Sequence, residues 1–189
     1  MNFYYLCTFL IGICFFQPSI NLAQERPRPH FEIESDPLAF ILSGYSFHTA
    51  MNTSGFRYSI GVFAIRPPEF LLENDAFSVY TSGFDFKTDY LFGDLKGFYA
   101  GIQVTNTKDK VELREEPIEK DELRSFSLGF RAGYRFMFGK NENQYKGFYL
   151  TPWAALMYNP NPKSLHIAGQ KYRQATWVPF PTIHLGWRF

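Results

Sequence analysis

Apolar and polar residues alternate along much of the chain from about residue 30 onward, most cleanly over Ser125–Phe138. There Phe126, Leu128, Phe130, Ala132, Tyr134, Phe136 and Phe138 fall on one parity, and Ser125, Ser127, Gly129, Arg131, Gly133 and Arg135 on the other. A period of two is the signature of a strand with unlike faces. The same reading covers Phe56–Ala64, Tyr80–Phe92, Phe98–Thr105, Phe148–Tyr158 and Thr182–Phe189. Leu38–Ala50 reads as a further strand, and residues 29–36, around Phe31-Glu-Ile-Glu-Ser35, as a short first one. Pro152 within a closed sheet removes a ladder hydrogen bond, so a bulge or kink is expected there.

Between these strands the short polar segments 51–55, 93–97 and 139–145 read as turns. They alternate with long connections at 66–79, 108–122 and 159–177. The first contains a stretch, Glu69–Asp75, read as a loop cap; the second is densely charged and read as a solvated excursion; the third holds a small hairpin turning at Ala168-Gly169. Eight strands in up-and-down order satisfy this spacing, which predicts an all-β, antiparallel transmembrane β-barrel with a polar-filled lumen. Short turns belong to the periplasmic end of such barrels and long connections to the extracellular end.

Composition decides which face is outside. The chain has 22 Phe and 12 Tyr in 189 residues, more bulk than the interior of a small soluble barrel holds. The opposite parity carries Arg57, Asp85, Lys87, Asp89, Gln103, Arg131, Arg135, His184 and Arg188. Apolar outward and polar inward fits a bilayer, whereas a secreted, soluble lipocalin-like ligand-binding barrel would need the reverse. Trp153, Trp177 and Trp187 read as interfacial belt residues. A formal net charge of +1 gives no electrostatic case for nucleic acid.

Residues 1–23 lack Lys, Arg, Asp and Glu and contain the apolar run Phe3–Phe16, followed by Gln17-Pro18-Ser19 and Leu22-Ala23-Gln24. This predicts a signal peptide cleaved after Ala23, with Sec-type export, a periplasmic lead-in at 24–29 and a single barrel domain over 24–189. The run is shorter than the roughly 20 residues a spanning helix needs. Cys7 and Cys14 both fall inside the signal, so thiol chemistry and thiolate metal sites are not expected of the mature chain.

The closing strand, Thr182-Ile-His-Leu-Gly-Trp-Arg-Phe189, ends on an aromatic residue, with Ile183, Leu185, Trp187 and Phe189 on one face. It resembles the last strand of the small OmpA/OmpX-type outer-membrane barrels. That resemblance implies the bacterial cell outer membrane as location, outer-membrane lipid as surroundings, and recognition of those four residues by the barrel-assembly machinery. The class is functionally diverse, so no activity follows from it. A periplasmic peptidoglycan-binding domain, found in some relatives, has no counterpart in the sequence.

A narrow lumen must pair its charges, because an isolated buried ion costs several kcal/mol. The five cations Arg57, Lys87, Arg131, Arg135 and Arg188 face only Asp85 and Asp89, so further acceptors from loop Glu residues, hydroxyls, carbonyls or water are expected. The expectation is a structural or surface-interaction protein without an open pore, any extracellular ligand meeting the three long connections. The alternative is a lipid A-modifying enzyme working by acyl transfer or deacylation. Its candidates are Ser46 with His48 and Thr182 with His184, each at i, i+2 on one face. Cβ atoms so spaced lie about 7 Å apart, and the sequence offers no evident acidic orienter. The four His are scattered, so neither metal nor cofactor is expected.

Overall fold

The computed structural model describes residues 29–189 apart from 70, 71, 73, 94 and 116–119. The expected signal peptide, 1–23, and residues 24–28 of the expected lead-in lie outside the described residues. The elements are β1 (His30–Ser35), α1 (Pro37–Ile41), β2 (Tyr45–Thr53), β3 (Phe56–Ile65), β4 (Phe77–Leu91), β5 (Gly97–Leu113), β6 (Lys120–Met137), β7 (Gly147–Tyr158), β8 (Ser164–Ile167), β9 (Gln170–Arg173) and β10 (Trp177–Arg188). Among the described residues eight strands close a barrel in the order β1-β10-β7-β6-β5-β4-β3-β2, every neighbour antiparallel, with β8–β9 as a separate hairpin.

The apolar parity faces out. Phe130 is 78% exposed, and Phe47, Phe84, Ile102, Phe136 and Trp187 are also exposed. The polar parity is buried, including Arg135 and Arg188 at 1%. Trp153 departs from its expected place in the belt, because it shares the odd parity of β7 with Tyr149 and Thr151 and is buried inside. Trp177 and Trp187 are exposed as expected.

Several boundaries differ from the sequence reading. Leu38–Ala50 is not one strand. Asp36 accepts a hydrogen bond from the Leu38 N–H at 2.8 Å, and Pro37 sits at the first helical position, so the chain turns into α1 before β2 begins. The turn at 51–55 tightens to Ser54-Gly55, both with positive φ, while Met51–Thr53 pair in the sheet. The segment 108–122 is mostly ladder: β5 runs to Leu113 and β6 begins at Lys120. Part of its charge is matched across the strands, with Lys108 facing Arg124 but bonding diagonally to Glu122 at 2.7 Å, and Lys110 opposite the same Glu122. An exposed pair of this kind contributes about 0–1 kcal/mol, so the backbone ladder and the apolar face of Val111 and Leu113 hold the extension together. Likewise β4 starts at Phe77, shortening the connection 66–79, and β10 at Trp177.

The hairpin in 159–177 turns at Ala168-Gly169 as the sequence indicates. Its Leu165, Ile167 and Tyr172 pack against Phe77, Val79, Val111 and Leu113, forming a second small core beyond the barrel wall. At Pro152 the β6–β7 pairing lapses between Gly133–Trp153 and Phe136–Leu150 and resumes in the same register, so the lost donor costs a break in the ladder without an inserted residue.

The wall is uneven at one place. β10 pairs with β7 over its whole length but with β1 only from Leu185 to Arg188. Alongside the remaining stretch of β10 the chain of β1 has turned into α1, which packs against β10, β2 and β3. Ala39 of α1 is buried, while Leu38, Phe40 and Ile41 are exposed and continue the apolar outer surface. The Phe189 N–H donates to the Phe31 carbonyl, so odd residues of β10 direct their backbone groups toward β1. Pro179 and Pro181 share that parity, and their missing N–H groups fall on the edge where no strand pairs.

Candidate functional site

The lumen is the polar site of the molecule, and Glu32 is its node. Its carboxylate accepts from Arg57 Nε at 3.0 Å, Arg135 Nη2 at 2.7 Å, Arg188 Nη1 at 2.8 Å and the Tyr149 hydroxyl at 3.0 Å. Glu34 lies 2.6 Å from Arg57 Nη2, off the axis of a directed hydrogen bond and so an ion pair, and 3.1 Å from His184 Nδ1. Asp36 accepts from Thr182 Oγ1 at 2.6 Å. With Asp85 and Asp89, these acids match the five cations in number.

The extra carboxylates, expected of loop Glu residues, come instead from β1, while the expected hydroxyl and carbonyl acceptors are present at Tyr99 and Gln144. The signal was present in Phe31-Glu-Ile-Glu-Ser35, whose alternation puts both Glu on the inward parity of a strand. That strand is too short to stand out by itself.

The inward glycines show how the network spans the barrel. Neighbouring strands lie about 4.8 Å apart, so residues two strands apart on one row meet only if nothing fills the middle position. His48, Gly61 and Asp85 form such a row across β2, β3 and β4. A Cβ on Gly61 would overlap the His48 ring. Asp89, Gly101 and Arg131 form another, with Arg131 Nε 3.6 Å from Asp89 Oδ1. Tyr149 likewise crosses Gly186, whose partner in β1 is Glu34, and its hydroxyl reaches Glu32, the next inward residue of that strand. Arg131 also stacks over Trp153, 4.1 Å from guanidinium carbon to ring centroid, and donates to the Tyr99 hydroxyl at 2.9 Å.

The first row changes the picture of the nucleophile candidates. Ser46 Oγ is 3.2 Å from His48 Nδ1, and His48 Nε2 is 3.2 Å from Asp85 Oδ2. The His48 ring extends over Gly61 with Nε2 toward Asp85 and Nδ1 within reach of Ser46 Oγ, and Asp85 is the orienter that sequence spacing concealed two strands away. Lys87 Nζ holds the other oxygen of Asp85 at 2.7 Å. The second candidate pair is not assembled: Thr182 bonds to Asp36, and His184 to Glu34. Gln103 is buried and donates to Thr105 Oγ1 at 3.1 Å. No group of three or more potential metal ligands occurs among the described residues.

No protein-family model matches the chain, and no curated protein matches it in sequence. Its fold is similar to a solved one. The crystal structure of Neisserial surface protein A matches with a TM-score of 0.51 at 11% identity, over 85% of this chain and 96% of that one. At that identity the likeness establishes the fold, an all-β closed barrel, and transfers no activity.

Ile183, Leu185, Trp187 and Phe189, the residues of the proposed assembly signal, stand on the outer face of β10 and just beyond its end, with Trp187 and Phe189 at least half exposed. An open cavity of about 310 Å³ at the short-turn end is bordered by His30, Asn52, Leu91, Gln144 and Arg188. Arg188 is already committed there to Glu32 and the Gln144 carbonyl.

Proposed function

We propose that the chain is an integral outer-membrane β-barrel with a structural or surface-interaction role and no open pore. The carrying observation is the pairing of an apolar, aromatic outer face with a polar, charge-matched interior. In water that arrangement would leave Phe130, Phe98 and Phe138 exposed around a core of buried ions; in a bilayer the hydrocarbon receives the outer face. The barrel resemblance of the closing strand and the fold shared with a protein named for its surface location support the same reading. The amino-terminal signal directs export, the barrel-assembly machinery recognises the closing strand, and the long connections lie outside the cell. Their second core makes that end a shaped surface for a partner.

The test is gel mobility of the membrane-fraction protein. The unheated protein is expected to migrate faster than the boiled one, as a compact barrel resisting detergent. A protein that stays in the soluble fraction and shows no shift would overturn the assignment.

A further inference from the structure

We propose that Ser46, His48 and Asp85 form a nucleophilic relay inside the barrel wall that cleaves acyl esters, with membrane lipid as the source of the ester. Both the hydrogen bonding and the position of Ser46 carry it. A carboxylate only accepts, so the His48 nitrogen facing Asp85 carries its proton, and Nδ1 is left as the acceptor facing the Ser46 hydroxyl. That is the tautomer a general base needs toward a nucleophile. Relative to the usual arrangement the two ring nitrogens exchange roles, which leaves the proton path unchanged. Lys87 fixes the carboxylate in turn, and Gly61 clears the space through which the ring reaches it.

Ser46 stands at the start of β2, beside the part of the wall closed by α1. The Ser35 hydroxyl donates to the Ser46 carbonyl at 2.7 Å, so the backbone groups of Ser46 point to that edge, and its N–H is a donor placed for a carbonyl oxygen there. An ester reaching Ser46 by displacement of α1 comes from the apolar side, past Leu38, Phe40 and Ile41. Its acyl chain would meet the same surroundings as the outer face.

In the first step Ser46 Oγ bonds to the ester carbonyl carbon while its proton moves to His48 Nδ1. The carbon–oxygen bond to the alcohol then breaks, and His48 returns the proton to the departing alkoxide. Water, the co-reactant, attacks the acyl-serine, giving a proton to His48 and releasing the acid as the proton returns to Ser46. The lipid source rests on the proposed seat of the barrel in a bilayer, but the ester chemistry does not. Both are therefore tested on purified full-length chain in detergent micelles, whichever cell fraction supplies it.

The folded protein is treated with a fluorescent alkyl fluorophosphonate and mapped by peptide mass spectrometry. Modification of Ser46 is expected, with its rate lowered on the order of 10²–10⁴-fold in His48→Gln and Asp85→Asn. Folded protein in which Ser46 is unmodified overturns the relay, and that result needs no variant to fold. Modification of Ser46 at an unchanged rate in folded His48→Gln or Asp85→Asn overturns it equally. Hydrolysis of 4-nitrophenyl laurate at least about tenfold faster than the acetate, lost in Ser46→Ala, is the outcome expected for entry from lipid; one order of magnitude is the discrimination an apolar site readily supplies. Ser46-dependent hydrolysis confined to the acetate overturns the lipid source alone.

Discussion

Glu32 gathers Arg57, Arg135, Arg188 and Tyr149 onto one buried carboxylate. Neutralising it leaves three guanidinium groups close together in a site from which solvent is excluded. Glu32→Gln keeps the volume and some of the hydrogen bonding but removes the charge. The expected cost is about 3–5 kcal/mol, the usual penalty for breaking a buried ion cluster by removing one partner. It is read as a lower urea midpoint for loss of the fast-migrating form in micelles; an unchanged midpoint would show the cluster to be energetically idle. The facing of Arg57, Asp85, Arg131 and Arg188 was legible in the sequence, since parity alone assigns a side chain to one side of a sheet. Their partners were not. Arg57 meets Glu32 because inward side chains of β1 and β3, on either side of β2, converge in the lumen, and His48 meets Asp85 because Gly61 stands between them in register.

At the level of elements, strand existence was legible and strand length was not. Residues 108–122 look like a loop because both parities carry charge, yet Lys108 and Lys110 both meet Glu122 across β5 and β6 once the strands pair. Hydrophobic alternation reports a face in contact with apolar surroundings, so it fades where a strand leaves the band, even if its ladder continues. The extension buries Asp109, which accepts from Thr81 Oγ1 at 2.8 Å and Gln174 Nε2 at 2.7 Å. Burial pushes its carboxyl above the usual range, and the two hydrogen bonds pull it part of the way back. A raised carboxyl pKa means that folding favours the protonated form. Stability from this group is full below the unfolded carboxylate value and is lost as pH rises through the raised one. Hydrogen exchange in 164–173, corrected for intrinsic rates, is therefore expected to show weaker protection at pH 7 than at pH 4, with the difference reduced in Asp109→Asn. The same pH slope in both proteins would assign the effect to another group.

For the whole molecule, class and polarity of the faces follow from composition plus alternation, whereas the break in the wall follows from neither. Leu38, Phe40 and Ile41 read as part of a strand because they are apolar. It is the capping of Asp36-Pro37 that diverts the chain, and capping geometry is a local competition that periodicity does not register. The barrel is thus continuous at its short-turn end and patched by α1 toward the other.

The ladder joining β1 to β10 has another consequence, for the order in which the cylinder is made and unmade. Its four pairs link residues about 150 positions apart, while every other junction in the ring joins strands much nearer in sequence and is paired over a longer stretch. Closing so long a loop for so few contacts is the least rewarded step of folding, so this junction zips last and is the first to open. Amides of Ile33 and Leu185 are expected to exchange sooner than those of Gln103 and Arg131 in the β5–β6 ladder. Equal protection at both places would mean that the ring opens as a single unit. A cylinder that opens at one defined line has a built-in latch, and the residues at the latch, Glu32 and Arg188, are the same ones that tie its interior together.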